Sequence, residues 1–138
     1  MLKAVETQPF IAPPKVTLAG AEYEIPVLAP KQNRIVVPLI DSVFPKIENA
    51  RRKSFADPAD EKKGVVAYRW MVELVLNGAY DDLCAVTHAA LTRTLPDLTR
   101  AEFDDWAVDT FELLAAVAVI ARQAGLIRDV VTATKPSA

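Results

Sequence analysis

The sequence predicts a mainly α fold, a small helical domain of about four helices with a short N-terminal β-hairpin. Three observations carry this. Residues 15–25 alternate apolar and polar side chains, the period of a half-buried strand pair. Beyond residue 64, apolar residues recur every three to four positions, as they do on one face of a helix. Eight of the ten prolines lie within residues 1–58, whereas most alanines lie beyond residue 64, so helix breakers crowd the front and good helix formers the back.

Residues 1–14, MLKAVETQPFIAPP, have no periodicity and hold Pro9, Pro13 and Pro14, so they read as a flexible N-terminal arm. In KVTLAGAEYEI, Val16, Leu18, Tyr23 and Ile25 alternate with Thr17, Glu22 and Glu24, and Ala19-Gly20-Ala21 supplies the turn. Two strands alone are marginal in water, so this hairpin must pack on helices or pair with another chain. From Pro30, Ile35, Leu39, Ile40 and Val43 follow helical spacing, and Pro30 suits a first turn, where no N–H is needed. Pro38 interrupts that pattern and predicts a kink or two short helices. Residues 46–63 are charged, contain Pro58 and read as a solvated loop or a ragged helical turn, with Arg51, Arg52 and Lys53 as its basic cluster.

Val66, Trp70, Leu74, Leu83, Val86, Ala90 and Leu91 make broad apolar stripes broken at Asn77-Gly78-Ala79, which predicts helices over about 65–77 and 80–94, or one bent helix. Thr99-Arg100-Ala101-Glu102 has the form of a capping box and should open the long core helix that Gly125 ends. Phe103, Trp106, Ala107, Thr110, Leu114, Val117, Ala118 and Ala121 share a face of that helix, widened by Phe111, Leu113 and Ile120. The remaining residues read as a frayed tail, which leaves one globular domain over 15–128 between the arm and a tail at 129–138.

Composition restricts the function. A formal charge of −2 lacks the basic excess of a nucleic-acid binder. One cysteine and one histidine cannot supply a typical zinc site, and a lone Cys84 fits a reducing, cytoplasmic compartment. No apolar run approaches the ~18 residues of a membrane span. Cys84 and His88 stand four apart on one predicted helix face, but no third group joins them, so the expectation is a buried cysteine beside a surface histidine. Glu102, Asp105, Asp109 and Glu112 also share a face, which reads as a solvated acidic surface since no histidine accompanies them. The four glycines are isolated, so there is no phosphate-binding loop, and no serine sits in a nucleophile motif. The expectation is a non-enzymatic chain without cofactor or metal. Tyr68, Trp70, Tyr80, Phe103 and Trp106 are the candidate partner-binding residues, because Tyr and Trp concentrate at interface hot spots. The core is the competing place for aromatics, above all for Trp106 and Phe111.

The order of elements resembles a family. VTLAGAEYEIPVL from Val16 to Leu28 is followed by a helix ending in an apolar Pro-Leu-Ile, a variable charged loop, a helical pair, and PDLTRAEF opening a long helix that closes in Ala-Gly-Leu-Ile. That succession, over about residues 15–128, is similar to the small tail assembly chaperones and related tail-module proteins of long-tailed bacteriophages and prophages. The resemblance implies a partner: the long helical tape-measure protein, or other tail proteins, bound in the bacterial cytoplasm while the tail tube polymerises; the proline-rich arm and the hairpin edge, separately, fit self-association into a homo-oligomer. It also admits a structural tail completion or head–tail joining role, in which the chain would stay in the virion. A cytoplasmic helical adaptor is the reading outside that family.

Overall fold

The computed structural model describes residues 12–55 and 63–127. Strands β1 (Lys15–Leu18) and β2 (Ala21–Glu24) pair antiparallel, with Val16 opposite Tyr23 and Leu18 opposite Ala21. Among the described residues five helices follow: α1 (Pro30–Ser54), α2 (Lys63–Leu76), α3 (Ala79–Leu91), α4 (Arg100–Asp104) and α5 (Thr110–Gln123). The mainly helical class with an N-terminal hairpin is therefore as the sequence predicts. The hairpin turn is tighter than expected. Ala19 and Gly20 alone make it, both at positive φ, 53° and 80°, as a two-residue primed turn requires, and Ala21 already belongs to β2.

The hairpin packs on α5. Val16 and Leu18 are buried, and the Ile25 N–H donates to the Pro14 carbonyl, so Pro14 extends the ladder instead of belonging to a free arm. Gln123, the last residue of α5, fastens the strand that leaves the hairpin: its Nε2 donates to the Ile25 carbonyl at 2.8 Å, and its carbonyl accepts from the Leu28 N–H. The rest of the expected arm, residues 1–11, and the tail expected from residue 129 lie outside the described residues.

Helix α1 departs from expectation twice. It runs as one helix through Pro38 and Pro45, where two short helices were one expectation, and it continues to Ser54 where a solvated loop or a ragged helical turn was expected from residue 46. Both prolines are exposed, and so are Arg34 and Asp41, whose carbonyls lose their partners; water can serve those carbonyls, which offsets the lost hydrogen bond but not the clash of the ring with the preceding turn. The opposite face buries Gln32, Val36, Ile40, Val43, Ala50 and Ser54 at helical spacing, and this stripe carries the helix past the charged segment. Glu48 pairs with Arg51 at 2.6 Å and Arg52 at 3.5 Å, and Arg51, Arg52 and Lys53 sit in the last turn, where the helix dipole favours cations.

Helix α3 lies at the centre. Ala79, Leu83, Cys84, Val86, Thr87, Ala89, Ala90 and Leu91 are buried in it, and α1, α2, α4 and α5 all pack around it. The Thr87 hydroxyl answers to the Leu83 carbonyl at 2.8 Å, so this buried polar group is satisfied within its own helix. The break before α3 falls where predicted: Gly78 takes a left-handed φ of 86°. Asn77 locks it, with Oδ1 accepting from the Ala79 N–H and Nδ2 donating to the Lys46 carbonyl, both at 3.0 Å.

The predicted long core helix is two helices. Thr99 and Glu102 form the expected capping box, but α4 ends at Asp104. A second box restarts the chain: Asp109 accepts from the Phe111 N–H at 2.6 Å and Glu112 reaches back to the Asp109 N–H at 3.0 Å. The interruption rotates the register. Leu113, Ala116, Val117, Ile120 and Ala121 face the core, whereas Phe111, expected inside, is 55% exposed.

Candidate partner-binding surfaces

The five aromatic candidates divide into two places and one burial. Phe103 is core, only 2% exposed, so it is no free contact for a partner, although its ring edge reaches a cavity. Trp106 is half-buried: it stacks on Tyr23 with ring centroids 5.1 Å apart and an interplanar angle of 18°, and it meets Phe103 at 5.3 Å. Together with Tyr80, these two line a depression of about 250 Å³ beside Cys84, Val108 and Leu113. Trp70 and Tyr68 are elsewhere, on α2.

Helix α2 is apolar on two faces. Val66 and Leu74 enter the core, with Trp70 and Met71 packed against it. Tyr68, Val72, Val75 and Leu76 form a second stripe at spacings of four, three and one, and it points to solvent; Tyr68 is 70% and Leu76 74% exposed. Phe55 at the end of α1 is also exposed and meets Trp70 edge-on at 6.4 Å. Lys53 and Glu73, 3.4 Å apart, lie along one side of the stripe. Among the described residues the buried Trp70 Nε1 has no hydrogen-bond partner. Sequence periodicity alone merges the two faces of α2, because a helix apolar all round gives no preferred direction.

A third apolar concavity, of about 510 Å³, lies where the exposed prolines of α1 meet the chain beyond α5. Val37, Pro38, Phe44, Pro45, Leu126 and Ile127 shape it.

The polar constellations resolve into structural roles. The Cys84 thiol is buried and its pKa is pushed up, first by that burial and then by the Asp104 and Asp81 carboxylates, against the opposing pull of Arg100, so it is not an activated thiolate. His88 is half-buried, and its Nε2 lies 2.7 Å from the Leu98 carbonyl, tying α3 to the loop before α4. Glu102 and Glu112 are held below the ordinary glutamate range by the backbone N–H groups they accept from, Thr99 for the first and chiefly Asp109 for the second. They and Asp109 are caps, not one continuous acidic face. Among the described residues no group of three or more His, Cys, Asp or Glu side chains could hold a metal ion, and no helix is long and apolar enough to cross a membrane.

No family model matches the chain, and neither a curated protein nor a solved structure matches it.

Proposed function

We propose that this chain is a non-enzymatic phage or prophage tail assembly chaperone that binds the tape-measure protein in the cytoplasm of the host bacterium. The observation that supports the reading is the outer stripe of α2: Tyr68, Val72, Val75 and Leu76 are exposed in a helical pattern that core packing does not use. A helix with this second face has an amphipathic helix as its natural complement, laid alongside in the helix-in-groove mode. The reading needs no bound cofactor, because covering the apolar stripe of a long helical client until the tube encloses it is an act of binding alone.

The test is mass spectrometry of what a tagged copy captures in its native host during particle production, with wild type beside the double substitution Val72→Asp and Leu76→Asp. Leu76 is 74% and Val72 36% exposed, so a thermal melt of the variant establishes that it stays folded before its capture is compared with wild type. Capture of a very long helical protein by wild type and its loss in the variant, with no copy of the chain in purified particles, supports the reading. A fixed number of copies in the finished particle replaces it with a tail completion or head–tail joining role.

A further inference from the structure

The depression between α3 and the α4–α5 junction has an apolar wall and an acidic mouth. Tyr80, Cys84, Phe103, Trp106 and Leu113 build the wall, and its volume of about 250 Å³ is the scale of a side chain or two. It is smaller than the roughly 300–1,000 Å³ of small-molecule and cofactor sites. At the mouth stand Asp81, Asp104 and Arg100. Arg100 donates to Asp104 at 2.8 Å and is thereby spent; among the described residues no cation pairs with Asp81. The Tyr80 hydroxyl registers the same field. Its pKa is raised first by burial, then by Cys84, with further contributions from Asp104, Asp109 and Asp81; of these carboxylates Asp81 and Asp104 stand at the opening itself, the second already paired with Arg100.

The wall is also preformed. Trp106 is clamped between Tyr23 and Phe103, and Phe103 in turn lies 6.2 Å from the His88 ring, which Leu98 anchors. Contacts from the hairpin, α3 and α4 therefore hold one Trp ring in place, and an incoming side chain meets a wall that is already ordered.

From this juxtaposition we propose that the pocket is a docking site for a basic, apolar-anchored segment of a partner protein. One Leu-, Met- or Phe-sized side chain fills the space against Trp106 and Tyr80, while lysines or arginines flanking it meet Asp81 and the acidic rim. An acidic segment is repelled by Asp81, and an apolar segment without flanking cations leaves the Asp81 carboxylate without a partner cation. The inference is independent of the α2 stripe and of the tail assembly reading.

Cys84, the only cysteine, sits on the pocket wall and reports occupancy directly through its rate of alkylation by iodoacetamide. Trp106 reports through fluorescence in Trp70→Phe, which leaves it as the single tryptophan. The probes are three short helical peptides: a central leucine with lysine flanks, the same leucine with glutamate flanks, and lysine flanks around serine. The lysine–leucine peptide is expected to slow Cys84 alkylation several-fold and to shift Trp106 emission with saturation, and added salt weakens both effects. The other two peptides leave both signals unchanged. Asp81→Asn, an exposed substitution, weakens the lysine–leucine peptide several-fold. Equal binding by the serine or the glutamate peptide overturns the proposal, as does lysine–leucine binding that leaves Cys84 and Trp106 unmoved, or its failure to bind. Val72→Asp with Leu76→Asp leaves this response intact, so the two proposals fail separately.

Discussion

The Glu112 carboxylate accepts a hydrogen bond from the backbone N–H of Ala19 at 3.1 Å, across 93 residues of sequence. The same Oε1 closes the cap of its own helix by accepting from the Asp109 N–H at 3.0 Å. One side chain thus starts α5 and grips the hairpin turn, at the residue whose φ of 53° is unusual for alanine. Gln123 fastens the other end of the same helix to the strand exit, so the hairpin is held along the whole length of α5.

Glu112→Gln should therefore lower the melting temperature at neutral pH and flatten its response to acid. The Glu112 pKa is lowered by the Asp109 and Ala19 N–H groups, so its stabilisation is fully present above the ordinary glutamate value of 4.5 and is lost as pH falls through the depressed folded value. Thermal melts of wild type and variant between about pH 7 and pH 3 should converge as the carboxylate protonates. Parallel curves across that range would remove Glu112 as the clasp.

The break between α4 and α5 makes two phenylalanines, eight residues apart, behave oppositely. Phe103→Ala should cost about 3 to 5 kcal/mol, since the ring is buried. Phe111→Ala should stay within about 0.5 kcal/mol, because its ring is exposed. Urea denaturation measures both. A large loss at Phe111 would restore the uninterrupted helix that the spacing of Phe103, Trp106, Thr110, Leu114, Val117 and Ala121 predicts.

Signals that depend on a few neighbouring residues were legible. Alternation marked the hairpin, Asn77-Gly78 marked the helix break, and Thr99-x-x-Glu102 marked a helix start. The second box, Asp109-x-x-Glu112, is as plain in the sequence, but the apolar spacing running through it favoured one helix. That one helix carries on through Pro38 depends on which face the proline occupies, and that is set by α2 and α3 packing on the other side. The aromatic candidates show the same division. Tyr80, Phe103 and Trp106 come together only because α4 folds back against α3, and Cys84 joins them from a position read as plain core.

Because Pro38 sits on the exposed face of an unbroken helix, Pro38→Ala should stabilise the chain. Alanine restores the N–H donor to the Arg34 carbonyl and removes the ring clash while touching no core contact. The gain should be about 1 to 3 kcal/mol in urea, and circular dichroism should show helicity unchanged or slightly raised. A loss of stability would mean that the proline geometry is needed, through the concavity it forms with Phe44, Leu126 and Ile127.

Gly78 should resist substitution for a backbone reason alone. An added Cβ would have as its nearest neighbour the Lys46 Nζ at 3.5 Å, the far end of a flexible side chain, so there is room. The φ of 86° is the obstacle, and Gly78→Ala should cost about 1 to 2 kcal/mol. Gly78→Asn should recover part of that, since asparagine tolerates the left-handed region better than alanine. Asn77→Ala tests the neighbouring lock. It leaves the Ala79 N–H without its side-chain acceptor and the Lys46 carbonyl without its donor, a loss of about 1 to 2 kcal/mol. Urea midpoints ordered wild type, Gly78→Asn, Gly78→Ala would place the cost in the backbone. Equal losses for asparagine and alanine would place it in the contact with Lys46 instead.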